Sequence, residues 1–305
     1  MAGRINVRPP AVAGQFYADT EQALSDEVDA LLAAAPEPDP GVSAPKAVIA
    51  PHAGFMFSGG VAANAYRRLA PARGQIRRVV ILGPSHFVPI RGLAASSADW
   101  FETPLGRVPV DSDGLASALA QTGVTTDDRA HEREHSLETQ LPFIQRVLGD
   151  VSVIPLVVGD ADVETVARVL GVLWGGDETA IAISSDLSHF HDDATARRLD
   201  AATAVAIEAL RAEFLGPRDA CGFLPIAGLL VHAARNGARV QTLELRNSGD
   251  AGAPRSSVVG YGAFELREAG PANRYSSTTS PPSRCSWMMR SRTSGSQLRY
   301  QTPSG

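Results

Sequence analysis

The chain is expected to fold as a single α/β domain with a central, largely parallel sheet flanked by helices. Three observations predict this. Lys46–Ala50, Arg78–Leu82, Val151–Val158 and Thr179–Ile183 are short apolar runs rich in β-branched residues, the pattern of strands covered on both faces. Amphipathic stretches alternate with these runs, as crossover helices do between parallel strands. Three of the runs end in a histidine: Pro51-His52, Gly83-Pro-Ser-His86, and Ser184-Ser-Asp-Leu-Ser-His189. In such sheets the loops leaving the carboxyl ends of the strands build the ligand crevice.

Taken in order, residues 1–18 read as an extended lead-in. Asp19 and Gln22 resemble a capping box before Leu24, Val28, Leu31 and Leu32, which fall at helical spacing. Ala35 to Pro45 is a proline-rich connection. The first histidine strand follows, then a glycine-rich turn (Gly54, Ser58, Gly59, Gly60) and a helix over Val61–Leu69. After the second histidine strand, residues 91–112 suggest a hairpin or irregular excursion, and Asp111–Thr122 a helix. His131–Leu148 reads as one amphipathic helix, with Leu137, Leu141, Ile144 and Leu148 on a stripe. The Val151–Val158 strand precedes a helix over Val163–Trp174 capped by Asp162. The third histidine strand leads to a helix over Ala194–Arg211. Cys221 opens another helix that stops near Gly237. Val240–Leu245 and Val258–Leu266 are the last strands.

Residues 1–268 are therefore assigned to the α/β domain. The remainder, 269–305, is rich in Ser, Arg, Pro and Thr without periodicity, the composition of a disordered tail. That tail carries five arginines, so the first 272 residues have a formal charge of about −10, against −5 for the 305-residue chain. An acidic domain argues against nucleic acid as a partner. No apolar window reaches the length of a membrane span. Met1–Pro10 lacks a signal core, which points to a cytoplasmic protein. With Cys285 in the tail, Cys221 is expected to be a free thiol.

The strand-end histidines carry the chemistry. Any one of them is equally readable as a loop histidine bonded to a carbonyl; the same placement at successive strands is what asks for a common ligand. Neutral imidazole is the commonest metal ligand and the usual acid/base group near neutral pH. Asp186 and His189 are three residues apart, so the carboxylate can face the ring across a turn, fix its tautomer and raise its basicity; Asp186 or Ser185 is also a plausible helix cap. His135 and Glu138 share a helical face and suggest a substrate-side wall of the crevice, or a surface pair. Cys221 stands near a helix N-terminus, where a thiolate is favoured, although a lone cysteine is also a small buried hydrophobe. With two histidines it completes a three-ligand site that keeps positions open. Imidazole with thiolate suits iron, copper or zinc better than magnesium or calcium.

These motifs resemble the Memo family, whose bacterial and archaeal members are called AmmeMemoRadiSam system protein B. The likeness is carried by Pro51–Gly59 (PHAGFMFSG), Gly83–His86, Glu134–Glu138, Ser184-Ser-Asp186 with His189, and Cys221-Gly222. Arg8–Tyr17 (RPPAVAGQFY) and Val259–Phe264 (VGYGAF) extend it over residues 7–266. The resemblance implies a fold similar to class III extradiol dioxygenases, which hold non-haem iron with two histidines and a glutamate. It implies His52 and His86 as metal ligands, Cys221 in the glutamate's place, and His189 as acid/base group. It also implies iron(II) or copper as cofactor, with zinc a further candidate, and redox or dioxygenase-like chemistry on a small molecule or peptide. Its partners would be an Amme-type protein and a radical S-adenosylmethionine protein. The alternatives are a non-catalytic peptide- or partner-binding module that reuses the crevice, and a zinc hydrolase built on the same ligands.

Overall fold

In the computed structural model, which describes residues 5–269, the apolar runs are strands whose alternate residues enter two different cores. Val79 and Ile81 face one core, and Val80 and Leu82 the other, all fully buried. This is why the runs are continuously apolar rather than alternating.

The elements in chain order are β1 (Val7–Arg8), α1 (Glu21–Ala34), β2 (Ala47–Ala50), α2 (Phe55–Arg67), β3 (Arg78–Pro84), β4 (Leu93–Ala95), β5 (Trp100–Thr103) and β6 (Gly106–Pro109). Then come α3 (Ser112–Leu119), β7 (Val124–Thr126), α4 (Arg129–Glu132), α5 (Leu141–Leu148), β8 (Ser152–Val158), α6 (Val163–Leu173) and β9 (Thr179–Ser184). The last are β10 (His189–His191), α7 (Asp193–Glu208), α8 (Phe223–Arg235), β11 (Arg239–Asn247) and β12 (Val258–Arg267). Nine strands form the main sheet, in the order β10-β12-β2-β9-β3-β8-β4-β7, with β11 also paired to β12. The four central strands, β2, β9, β3 and β8, are parallel; antiparallel pairs join them to β12 and β4. A small sheet, β1-β5-β6, stands apart. Helices α1, α2 and α5 cover one face of the main sheet; α3, α6, α7 and α8 cover the other.

The register sets up the crevice. Ala50 pairs with Ser184, and Leu82 with Ile183, so β2, β9 and β3 end side by side. The residues that follow, His52, Ser185-Asp186 and His86, leave from one edge of the sheet.

Several sequence readings are corrected. The helix at residue 55 already includes Ser58, Gly59 and Gly60, which are not a turn. The cap of α1 is Thr20, whose hydroxyl accepts from the Ala23 N–H, rather than an Asp19/Gln22 pair. His131–Leu148 is not one helix. It breaks into α4, a short 3-10 turn over Glu138–Gln140, and α5. Pro142 in the first turn of α5 is the reason: it has no N–H for the carbonyl of residue 138, and its ring clashes there if the helix continues backward. The freed segment 133–137 turns into the crevice. The disorder expected of 269–305 falls, beyond Ala269, outside the described residues. No helix among the described residues is long and apolar enough to cross a membrane.

Candidate metal centre

Three imidazoles converge at the carboxyl edge of the sheet. His52, His86 and His135 each offer a ring nitrogen, all within 4.8 Å of one another. The rings of His86 and His135 are stacked at 4.6 Å between centroids; His52 stands edge-on to both, at 5.1 and 5.5 Å. His52 and His86 arrive from β2 and β3, as expected. His135 comes from the segment released by Pro142. Close approach of that segment depends on Gly83, where a Cβ would lie 2.7 Å from Ser136 Oγ.

Each ring is oriented by its Nδ1 or left unpaired there. His86 Nδ1 lies 2.8 Å from Glu134 Oε1. A carboxylate only accepts, so Nδ1 carries a proton, and Nε2 is the ring nitrogen left to face a metal. Glu134 also accepts from the backbone N–H groups of His86, His135 and Ser136, at 2.7, 3.0 and 2.9 Å. Burial opposes its ionisation, but these bonds and the neighbouring His86 hold its carboxyl down at about 2. His52 Nδ1 lies 2.7 Å from Ser184 Oγ, and its Nε2 faces the Cys221 sulfur at 3.3 Å. His135 Nδ1 is buried and has no hydrogen-bond partner; the nearest carboxylate oxygen, Glu134 Oε1, is 3.7 Å away.

Burial, with His86 adjacent, lowers His52 to about 3. Burial, with His52 adjacent, lowers His135 to about 4. Both rings are therefore neutral at pH 7, the form a metal requires. The donor set fits a transition metal: the neutral rings of His52 and His135, the ring of His86, one orphaned buried nitrogen that calls for a partner, and a sulfur beside His52 alone, since Cys221 lies outside the three-imidazole group.

Cys221 precedes α8 and is a free thiol. Its sulfur accepts from the Asp186 N–H at 3.3 Å, and its own N–H donates to the Asp186 carbonyl at 3.2 Å. Burial, and then the Asp186 carboxylate, push the thiol up to about 12, so without a metal it is protonated.

Asp186 is buried, and its Oδ1 accepts from the His52 N–H at 2.8 Å. It neither caps a helix nor bonds His189. The His189 Nδ1 donates instead to the Leu187 carbonyl at 2.8 Å, which leaves Nε2 outside that bond. His189 opens β10 at the rim and lies outside the three-imidazole group. Glu138 is absent from the crevice wall. Its fully buried carboxylate takes hydrogen bonds from the Arg8 guanidinium, from the N–H groups of Ala11 and Val12, and from the Tyr17 hydroxyl. It anchors the N-terminal segment, which lays the Phe16 ring 4.9 Å from that of His135. His131 is buried too, with Nε2 3.0 Å from the Ala94 carbonyl.

Comparison with known proteins agrees with this architecture. A family model described as Memo-like protein matches residues 8–265. A MEMO1 family protein of Aquifex aeolicus (strain VF5) is 33% identical over 268 residues, covering 84% of this chain and 98% of its own. The MEMO1 family protein MK0963 of Methanopyrus kandleri is 34% identical over 281 residues, covering 85% and 99%. A MEMO1 family protein of Thermotoga petrophila is 35% identical over 277 residues, covering 83% and 97%.

Proposed function

This chain belongs to the Memo family, and we propose that it is a cytoplasmic metal-binding protein of redox or dioxygenase-like function, holding iron or copper. The observation that carries the reading is the convergence of His52, His86 and His135 within 4.8 Å. His52 and His86 would present their Nε2 atoms, His135 would be the third imidazole, and Cys221 would place its sulfur beside His52. A redox-active metal held there would supply electron transfer and Lewis acidity to a small-molecule or peptide substrate. His189, whose Nε2 at the rim is not engaged by Leu187, would move protons to or from that substrate. Asp186 would act indirectly, fixing the backbone of His52 and the sulfur of Cys221. An Amme-type protein and a radical S-adenosylmethionine protein are the proposed partners.

Elemental analysis of anaerobically purified protein tests this, beside the His52→Ala/His86→Ala double variant. The expected result is about one iron or copper per chain, lost in the variant. Single His135→Ala and Cys221→Ser variants then sort the remaining ligands. A metal-free wild type that also fails to take up added iron, copper or zinc overturns the reading.

One observation favours the second reading, a non-catalytic peptide- or partner-binding module. Phe87 and Phe190 are exposed by 44% and 79%. Their rings lie 5.8 Å from His135 and 5.6 Å from His189, at the mouth of the crevice. Ligand binding that survives His52→Ala, with no turnover by a metal-loaded wild type, would favour the module.

A further inference from the structure

Beneath His52 lies a buried polar chain that runs from Tyr66 through Gln140 to Ser184. The Tyr66 hydroxyl donates to Gln140 Oε1 at 2.8 Å. Gln140 Nε2 donates to the Pro51 carbonyl and to Ser184 Oγ, each at 3.0 Å. Ser184 Oγ is also 2.5 Å from the Ser136 carbonyl and 2.7 Å from His52 Nδ1. All five side chains or carbonyl-bearing residues named with Ser184 are buried from solvent, and Ser184 itself is fully so.

Donor and acceptor accounting leaves one arrangement. The Pro51 carbonyl can only accept, so Gln140 must turn its NH₂ toward it, and the second N–H then reaches Ser184 Oγ at 3.0 Å, a closer acceptor than Thr139 Oγ1 at 3.3 Å. The Ser136 carbonyl can only accept, and at 2.5 Å it requires a proton between the oxygens; only the Ser184 hydroxyl can supply it. Ser184 thus has no proton left for His52. It has one lone pair left, since Gln140 occupies the other. His52 must therefore donate from Nδ1, which leaves Nε2 bare and pointing at the Cys221 sulfur.

We infer that Ser184, oriented by Gln140, is a positioning residue that fixes the tautomer of His52 and so presents its Nε2 to a metal. The role parallels that of Glu134 for His86, but with a neutral hydroxyl in place of a carboxylate. A partner that orients a ligand histidine in this way typically contributes 10- to 100-fold to metal affinity. The consequence for affinity rests on the metal-binding reading; the tautomer does not, since the hydrogen bonds that set it lie wholly within the protein.

The test uses the full chain labelled with ¹⁵N-histidine and stripped of metal by a chelator. Two-bond ¹H–¹⁵N spectra at neutral pH report which nitrogen of each ring is protonated, and His52→Ala assigns the His52 signals. In the wild type His52 is expected as the Nδ1–H form. In Ser184→Ala its population shifts toward Nε2–H, and affinity for added iron(II) falls about 10- to 100-fold. Ser184→Thr, which keeps the hydroxyl, restores both. His86 is the internal control and stays Nδ1–H throughout, because Glu134 is untouched. A wild type with His52 as Nε2–H overturns the inference without need of any variant. So does a Ser184→Ala spectrum in which the tautomer is unchanged. An Nδ1–H wild type that binds no metal overturns the metal reading and leaves the positioning of His52 standing.

Discussion

Glu134 grips His86 at two points, with Oε1 2.8 Å from Nδ1 and Oε2 2.7 Å from the backbone nitrogen. The same carboxylate satisfies the N–H groups of His135 and Ser136. Glu134→Ala therefore leaves the buried Ser136 N–H and three partly buried donors of His86 and His135 without an acceptor. It is expected to cost about 3 kcal/mol of stability, since one such orphan costs roughly 1–3 kcal/mol and water recovers some of them. Metal affinity should fall about 10- to 100-fold, because the His86 ring loses both its tautomer and its orientation. Chemical denaturation and metal titration read the two effects. An unchanged metal affinity in a folded Glu134→Ala protein would remove Glu134 from the site.

Acid should destabilise the fold well above the carboxylate range. Burial lowers His52 to about 3, His131 to about 4 and His135 to about 4. In the unfolded chain these rings titrate near 6.5. Between those values the unfolded chain binds protons that the native state does not, so stability rises with pH. It is fully present above about 6.5 and is lost as pH falls through the window toward 4 and below. Glu134, held at about 2, adds a further loss beneath the ordinary carboxylate range. Asp186 and Asp200 act in the opposite sense. Burial raises both, so the native state keeps their protons longer and offsets part of the histidine term. The urea midpoint of metal-free protein is expected to drop between about pH 7 and about pH 5; a flat midpoint would mean that these rings protonate in place.

The strands and two of the three clustered histidines were legible because their signals are local. A strand buried on both faces must be apolar throughout, and His52 and His86 follow directly from such runs. The third imidazole was hidden by a competing pattern. Leu137, Leu141, Ile144 and Leu148 do fall at helical spacing, but Pro142 stops α5 from extending back to include His135. That proline was the available signal. Spacing also placed Glu138 beside His135 on a helix, whereas its true partner, Arg8, lies 130 residues away in sequence. Ser184 and Gln140 are 44 residues apart. No periodicity links residues at such separation, so a buried hydrogen-bond chain becomes visible only once the sheet register is known. Asp186 and His189 show the converse: short spacing permitted a pair, and the backbone directed each to another partner.

The N-terminal segment should depend on one buried charge pair. Arg8 and Glu138 are 6% and 0% exposed, and Glu138 also holds two backbone N–H groups and the Tyr17 hydroxyl. Removing one member of a buried pair leaves an uncompensated charge and typically costs about 3–5 kcal/mol. Glu138→Ala is expected to lower stability by that order and to expose residues 8–17 to hydrogen exchange. The Phe16 ring would then leave His135, so ligand access to the crevice should change while elemental metal content persists. Protection of residues 8–17 equal to that of the wild type would show that apolar packing alone holds the segment.

The loop carrying Cys221 is packed too closely to admit even a methyl group at the next residue. A Cβ on Gly222 would lie 2.6 Å from the Ser184 carbonyl oxygen and 2.7 Å from Ser185 Cβ. The Gly222 N–H also donates to Ser185 Oγ at 2.9 Å, so the residue cannot retreat without losing that bond. Its φ of −94° is open to any residue, which leaves crowding as the sole objection to a side chain. Gly222→Ala should therefore cost about 1–3 kcal/mol, the usual range for overpacking. The strain falls between Ser184, which orients His52, and Cys221, which faces it. The variant should consequently weaken metal binding more than an equally destabilising change in α7. Thermal unfolding and metal titration, run together on both variants, separate the two effects. Equal metal affinity at equal loss of stability would mean that the position of Cys221 is immaterial to the site.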